Sequence, residues 1–431
     1  MVRSGALTLG AVLMLGGVSG VQGQDFSAFG AAAPSLVGVL PNLPQNWSDL
    51  PVQFKVSEAV GYNSNVLNSP TQASAVASNL ILGLHPISAF ESISDYGGST
   101  KWYIGGDQFF ADGSVGFSRY LNNTNLNTIH NAVDLGVNWI YGSKCTGQLI
   151  ASEKTAESQP GQQVSVNAIN SLTTVAFNET AKCAVTGNYA AIFNSGTTNS
   201  SNSAAADKLN NFRSEFVAAG MTYMVSDTNS LDLLYTITGT DYTDRGTSMN
   251  NIGLFNKFTE HQINLSYNKQ FDPNLSLAAS VGVVGVRDTG FSFDLPSGFV
   301  PDYSLAVTWS ATPKLSLVAS LSHTVSPPTS IVANLEVSDS ARLGVTYQFT
   351  PKLTLASSVT VGYNSTGFTS TTVNTLARSE KENVYGAQAS VTYAMTPFVQ
   401  ATLSYQYSKT VQAGGTTPTS IALMTVNYAP Y

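Results

Sequence analysis

The feature that most constrains this chain is an alternation of apolar and polar residues with period two, sustained over segments about ten residues long. Across residues 341–349 one set reads Ala341, Leu343, Val345, Tyr347 and Phe349, and the other Arg342, Gly344, Thr346 and Gln348. Residues 399–407 repeat the scheme, with Val399, Ala401, Leu403, Tyr405 and Tyr407 against Gln400, Thr402, Ser404 and Gln406. Residues 263–271 and 315–323 behave likewise. Successive side chains of a strand point to opposite faces, so each segment reads as a strand with one apolar face. Membrane-spanning strands need about 9–11 residues, whereas soluble sandwich strands usually run to about five or six.

Composition indicates the solvent for that apolar face. Only 10% of residues are charged while 43% are hydrophobic, and mean hydropathy is +0.04. Soluble domains carry about 25% charged residues. Beyond the first residues, no apolar run approaches the roughly 20 residues of a membrane helix. Inside lipid, only helices and closed barrels satisfy every backbone group. The expected fold is therefore an all-β, transmembrane, antiparallel up-and-down barrel. The net charge of -7, with no basic patch, argues against a nucleic-acid partner.

The first residues have a separate purpose. Arg3 precedes a short apolar run over residues 6–18, and Val21-Gln22-Gly23 resembles a signal-peptidase site. Residues 1–23 are expected to be a signal peptide, and no Cys follows to indicate a lipid anchor. Residues 24–50, rich in Ala, Pro and Gly, read as a periplasmic lead-in, with a small plug as the alternative. Residues 51–431 are the barrel, and the bacterial outer membrane is its expected location, with outer-membrane lipid around it.

Turns also recur. Trp309-Ser-Ala-Thr-Pro-Lys-Leu-Ser-Leu is echoed by Tyr347-Gln-Phe-Thr-Pro-Lys-Leu-Thr-Leu, and Tyr267 and Tyr393 open similar stretches. Weaker copies start at Trp139, Glu179 and Tyr223. Each places an aromatic at a strand end, then a tight turn, then a new alternation. Pro suits such a turn because it presets φ and no ladder donor is needed there. The aromatics form an interfacial girdle. Longer polar connections, as at residues 63–75, 122–129, 194–211, 243–256 and 364–382, alternate with these turns. Short turns belong on the periplasmic side and long loops outside the cell. Taking Gly97-Gly98 as a turn and residues 102–120 as one strand, the count is eighteen, with sixteen as the alternative. The terminal Tyr431 suits recognition by the barrel-insertion machinery, although Pro430 departs from the usual pattern.

A barrel of this size encloses an aqueous channel or a plugged lumen. The polar face, including Gln348, Gln400 and Gln406, is expected to line it, with Arg342, Asp134, Arg213, Glu215 and Asp232 as its charges. Such a hydroxyl-rich wall exchanges hydrogen bonds with water or sugars without strong ion selectivity. Lys269 and His323, on the apolar face, lie near strand ends where headgroups are within reach. The four histidines, His85, His130, His261 and His323, have no local triad, metal or cofactor pattern, so no catalysis is expected. Cys145 and Cys183, placed on the fifth and seventh strands, would be about 9.5 Å apart. A disulfide needs less than about 7 Å, so pairing requires a bent rim or a strand count off by one.

Arg119-Tyr120 closing a long strand after Asp107-Gln108, and the aromatic-x-x-Thr-Pro-Lys-Leu-x-Leu hairpins at Trp309 and Tyr347, resemble the family called Putative β-barrel porin 2. The resemblance extends over most of the chain from Val52 onward and marks no functional residue. Members are commonly encoded beside exopolysaccharide synthesis and export genes. The resemblance implies an outer-membrane conduit, with polysaccharide or another saccharide as candidate cargo. A non-conducting surface protein whose loops bind a partner or matrix is the alternative.

Overall fold

The structure is a computed structural model, and it describes residues 52–64, 88–121, 123–142, 144–157, 171–202, 211–244, 256–287, 298–326, 335–367, 380–412 and 415–429. The expected signal peptide, the lead-in or plug and the terminal Tyr431 lie outside those residues. The first six strands are β1 (Gln53–Asn63), β2 (Ala89–Ile104), β3 (Asp107–Tyr120), β4 (Thr128–Tyr141), β5 (Cys145–Glu157) and β6 (Ser171–Ala184). The next six are β7 (Tyr189–Asn202), β8 (Phe212–Ser226), β9 (Asn229–Asp241), β10 (Lys257–Asp272), β11 (Leu275–Arg287) and β12 (Val300–Thr312). The last are β13 (Leu315–Ser326), β14 (Leu335–Thr350), β15 (Leu353–Gly367), β16 (Glu380–Ala394), β17 (Val399–Gln412) and β18 (Gly415–Tyr428). All eighteen form one sheet in which sequence neighbours pair antiparallel, and β18 closes on β1 through Val56↔Tyr428 to Asn63↔Ile421. Closure leaves no free sheet edge, which is what a strand-built wall in lipid requires. Among the described residues, no helix is long and apolar enough to cross a membrane.

The cross-strand registers carry one parity around the whole barrel. Leu321 pairs with Ala341, Ala341 with Val361, Val361 with Tyr385, and Val391 with Leu403. These residues share a face with Leu403, which is 62% exposed, and with other large exposed hydrophobics such as Val60, Leu135 and Met424. That face is the outer wall. Trp102, Trp139, Tyr189, Trp309, Tyr347 and Tyr393 ring its turn end; Tyr62, Phe90, Phe117, Tyr303, Tyr363 and Tyr385 lie towards the other. Two aromatic girdles bounding an apolar band are the signature of a barrel in a bilayer.

The tight turns explain the sequence repeat. The Thr350 hydroxyl oxygen accepts from the backbone N–H groups of Lys352 (3.2 Å) and Leu353 (3.0 Å). Thr396 does the same for Phe398 (3.2 Å) and Val399 (3.0 Å), and Asp272 for Asn274 at 2.7 Å. The side chain before Pro thus supplies an acceptor to donors that the ladder leaves unpaired. Register shifts beside these turns, between Ser310 and Thr312 and between Gln348 and Thr350, are bulges. The N-terminal turns lack Pro and use glycine in the left-handed region instead, at Gly105 (φ 65), Gly142 (φ 59) and Gly187 (φ 55).

Two expected turns are displaced. Gly97-Gly98 is mid-strand in β2, and the turn lies at residues 105–106, so residues 102–120 are not one strand. Gly97 is there for space: a Cβ would stand 2.5 Å from Cε of Lys55, whose side chain crosses it. The stretch beginning at Glu179 is also strand, and the chain reverses at residues 185–188. Eighteen strands survive both corrections, because each moves a turn without adding or deleting one.

The second displacement settles the cysteines. Cys183 ends β6 and does not begin a seventh strand, so it stands directly opposite Cys145 on β5. Their Cα atoms are 4.1 Å apart and the two are joined in a disulfide.

Candidate functional site

The site is the inner wall, the face left by the outer-wall parity. From β11 to β18 it is lined by small hydroxyls and amides that bond across strands. Ser280 and Ser304 are 2.7 Å apart, Ser322 and Ser340 2.7 Å, and Thr392 and Thr402 3.0 Å. Ser338 donates to Asn364 at 2.8 Å. Each such group has lone pairs to spare beyond its cross-strand bond, so the wall remains a hydrogen-bonding surface. Gln348, Gln400 and Gln406 share this face by register, and Arg342 stands mid-strand on β14.

The other side of the barrel, β1 to β6, differs in kind. Lys55 reaches across Gly97 to Asp112 at 3.4 Å. Asp112 is directly opposite Asp134, placing two carboxylates side by side at the middle of β3 and β4. Nε2 of His130 donates to Asp95 at 2.5 Å, bridging from β4 to β2 over β3. Gly116 lies beneath that bridge, and any Cβ there would collide with both partners. Nearer the turns, Gln108 donates to the Tyr103 hydroxyl (2.5 Å), Asn138 to Gln108 (3.0 Å) and Gln148 to Asn138 (2.8 Å). This ladder joins four strands.

The registers also fix the charge of the wall. Among the residues whose side chains the structure describes, eight acids face inward: Glu91, Asp95, Asp112, Asp134, Asp232, Glu260, Asp302 and Glu382. Five bases do: Lys55, Lys101, Lys154, Lys182 and Arg342. The wall is therefore net acidic and uneven, with mixed charge on β1 to β6 and mostly neutral groups from β11 to β18. That departs from the weakly charged lining expected from the C-terminal strands.

Asp134, Asp232 and Arg342 lie on the inner wall, and Asp232 accepts from Asn268 at 3.1 Å. Arg213 and Glu215 do not, and this corrects the expectation. They share the parity of Val217, Met221 and Tyr223 and stand on the outer wall at the loop end. There they pair with each other at 2.5 Å, where headgroups and water are within reach. The inner face of β8 holds Ser214, Phe216, Ala218 and Gly220, so both faces of this strand are part apolar and the alternation does not say which is inside. Lys269, on the outer wall near the turns, lies over the Phe271 ring at 4.6 Å, and His323 bonds Asp339 at 2.7 Å. Among the described residues, no group of three or more His, Cys, Asp or Glu side chains is placed to hold a metal ion.

The model of the family Putative beta-barrel porin 2 matches residues 289–423, the stretch containing the Thr-Pro-Lys hairpins. No curated protein matches the chain in sequence. Solved structures similar to it include the FrpB iron transporter of Neisseria meningitidis (F3-3 variant), with 9% identity over 84% of this chain and 62% of that one, at a TM-score of 0.47. The chain thus spans less than two thirds of that protein's length. Others are OccK1 (OpdK) of Pseudomonas aeruginosa, with 12% identity over 88% and 98% at a TM-score of 0.47. OccAB4 of Acinetobacter baumannii shows 12% identity over 88% and 98% at 0.46. A closed barrel with an apolar outer band, in a chain matched by a porin family model, is a channel-like barrel of the bacterial outer membrane.

Proposed function

We propose that the barrel is a passive channel for hydrophilic solutes, and that neutral saccharides are its preferred cargo. The observation that carries this reading is the hydroxyl and amide wall of β11 to β18. Closely spaced acceptors and donors without charge exchange hydrogen bonds with sugar hydroxyls as readily as with water. The net acid excess of the inner wall, carried by Asp232, Glu260, Asp302 and Glu382 on β9 to β16, disfavours polyanions, so an acidic exopolysaccharide fits less well than a neutral one. The barrel itself supplies no chemistry to the solute; it supplies a path.

Liposome swelling tests this directly. Vesicles containing the refolded protein should swell in isotonic neutral oligosaccharide, and more slowly in an acidic oligosaccharide of equal length. Equal exclusion of both, from vesicles in which the barrel is folded, would reject the channel and favour a surface protein that acts through its loops. Faster entry of the acidic sugar would retain the channel and reject the cargo.

A further inference from the structure

The outer wall is not uniform. Strands tilted about 40° climb about 2.5 Å per residue, so a residue five positions from its turn stands about 12 Å up, near half the height of an apolar band about 25 Å tall. At that level β9 to β18 present side chains such as Leu233, Leu265, Val281 and Leu403. β6 presents Glu179, which shares the outer face with Phe177 and Cys183 and has no side-chain partner among the described residues. Ser195 on β7 is directly opposite Glu179, and Thr197 and Glu153 lie slightly higher on the same face.

A second outward carboxylate shows how this fold treats such a group when lipid is its neighbour. Glu58, mid-strand on β1, accepts from Ser94 at 2.7 Å and from the Tyr96 hydroxyl at 2.8 Å. Both donors come from the adjacent strand, so the carboxylate is satisfied within the barrel. Glu179 has Ser195 directly opposite and Thr197 two residues on, the positions that Ser94 and Tyr96 hold beside Glu58, but it makes no hydrogen bond to either. An unpaired carboxyl against hydrocarbon is destabilising, and hydroxyls at Ser195 and Thr197 add polar surface that lipid cannot satisfy.

We infer that the outer wall of β5 to β8 is covered by a second copy of this chain, related by a two-fold axis along the membrane normal. Both copies must have the same orientation in the bilayer, so residues of equal height meet. An axis between β6 and β7 sets β6 of each copy against β7 of the other. The Glu179 acceptor then faces the hydroxyl donors of Ser195 and Thr197, which makes the patch self-complementary. The area is sufficient: four strands, each about 6 Å wide around the circumference at a tilt of about 40°, by about 25 Å give about 600 Å² per copy, and about 1,200 Å² in all is the lower bound of specific interfaces.

The test is disulfide capture in intact outer membranes. The two native cysteines already form a disulfide, so a Thr197→Cys chain carries a single free thiol. Mild oxidation should give a covalent dimer of T197C and none of V359C, whose thiol lies on the outer face of β15. Glu179→Leu introduced beside T197C should reduce dimer yield about tenfold, the scale of a lost buried polar cluster. Heat-dependent gel migration checks that each variant is a folded barrel. Equal capture at both positions, capture unchanged by E179L, or no capture of folded T197C would overturn the proposal. So would a detergent-corrected mass showing a trimer or larger ring.

Discussion

Neutralising Asp112 and Asp134 together should reduce a preference for cations that the inner wall creates. Eighteen strands about 4.8 Å apart and tilted about 40° close at a backbone radius of about 18 Å, and side chains leave a lumen of about 12 Å radius. The eight inward acids and five inward bases among the described side chains differ by three charges. Spread through a lumen about 30 Å long, three charges correspond to about 0.4 M fixed anion. Ion partition in 0.1 M KCl then favours K+ over Cl- by about 15 to one, falling below about two to one in 1 M KCl as salt screens the wall. Asp112→Asn with Asp134→Asn leaves one net charge, and the ratio at 0.1 M falls to about three. Reversal potentials across a planar bilayer under a salt gradient report that ratio. Anion preference in the parent protein, or a ratio unmoved by the double substitution, would refute the assignment of these carboxylates to the lumen.

Three further outcomes follow from local contacts. Gly116→Val places a side chain beneath the Asp95–His130 bridge; urea unfolding followed by tryptophan fluorescence should show a loss of about 1–3 kcal/mol, and an unchanged midpoint would contradict the packing. Thr350→Val removes an acceptor shared by two backbone donors and should cost about 0.5–1.5 kcal/mol in the same assay, with Thr350→Ser largely neutral. Reducing the Cys145–Cys183 bridge, which spans a sequence separation of 38, should lower unfolding stability by up to about 4 kcal/mol on the chain-entropy model. A Cys145→Ser variant as stable as the oxidised parent would show that the adjacent strand ladder already supplies that constraint.

The strands best read from sequence are those with a one-sided environment. β14 and β17 alternate strictly because lipid and water lie on opposite faces, and their turns carry Thr and Pro, whose chemistry is local. The N-terminal half was harder to read for physical reasons. Its turns depend on a glycine φ, and glycine also occurs in mid-strand for clearance, so Gly97 and Gly105 look alike in sequence. Arg213 and Glu215 were misplaced because β8 is partly apolar on both faces and parity there is set only by pairing with β7 and β9. The cysteine pair could have been found from a better turn: Gly187-Asn188 is a stronger reversal signal than the Lys-Cys that precedes it. The charged inner wall of β1 to β6 was legible only in part, because Lys55, Asp95 and His130 acquire a common face only once the registers are known.

Single-channel recording of the folded full barrel in a planar bilayer decides whether it conducts. Large, stable openings in KCl are expected, which neutral oligosaccharides interrupt transiently and acidic ones of the same length interrupt less. A barrel shown by heat-dependent migration to be folded, inserted in the bilayer and yet electrically silent would contradict the channel.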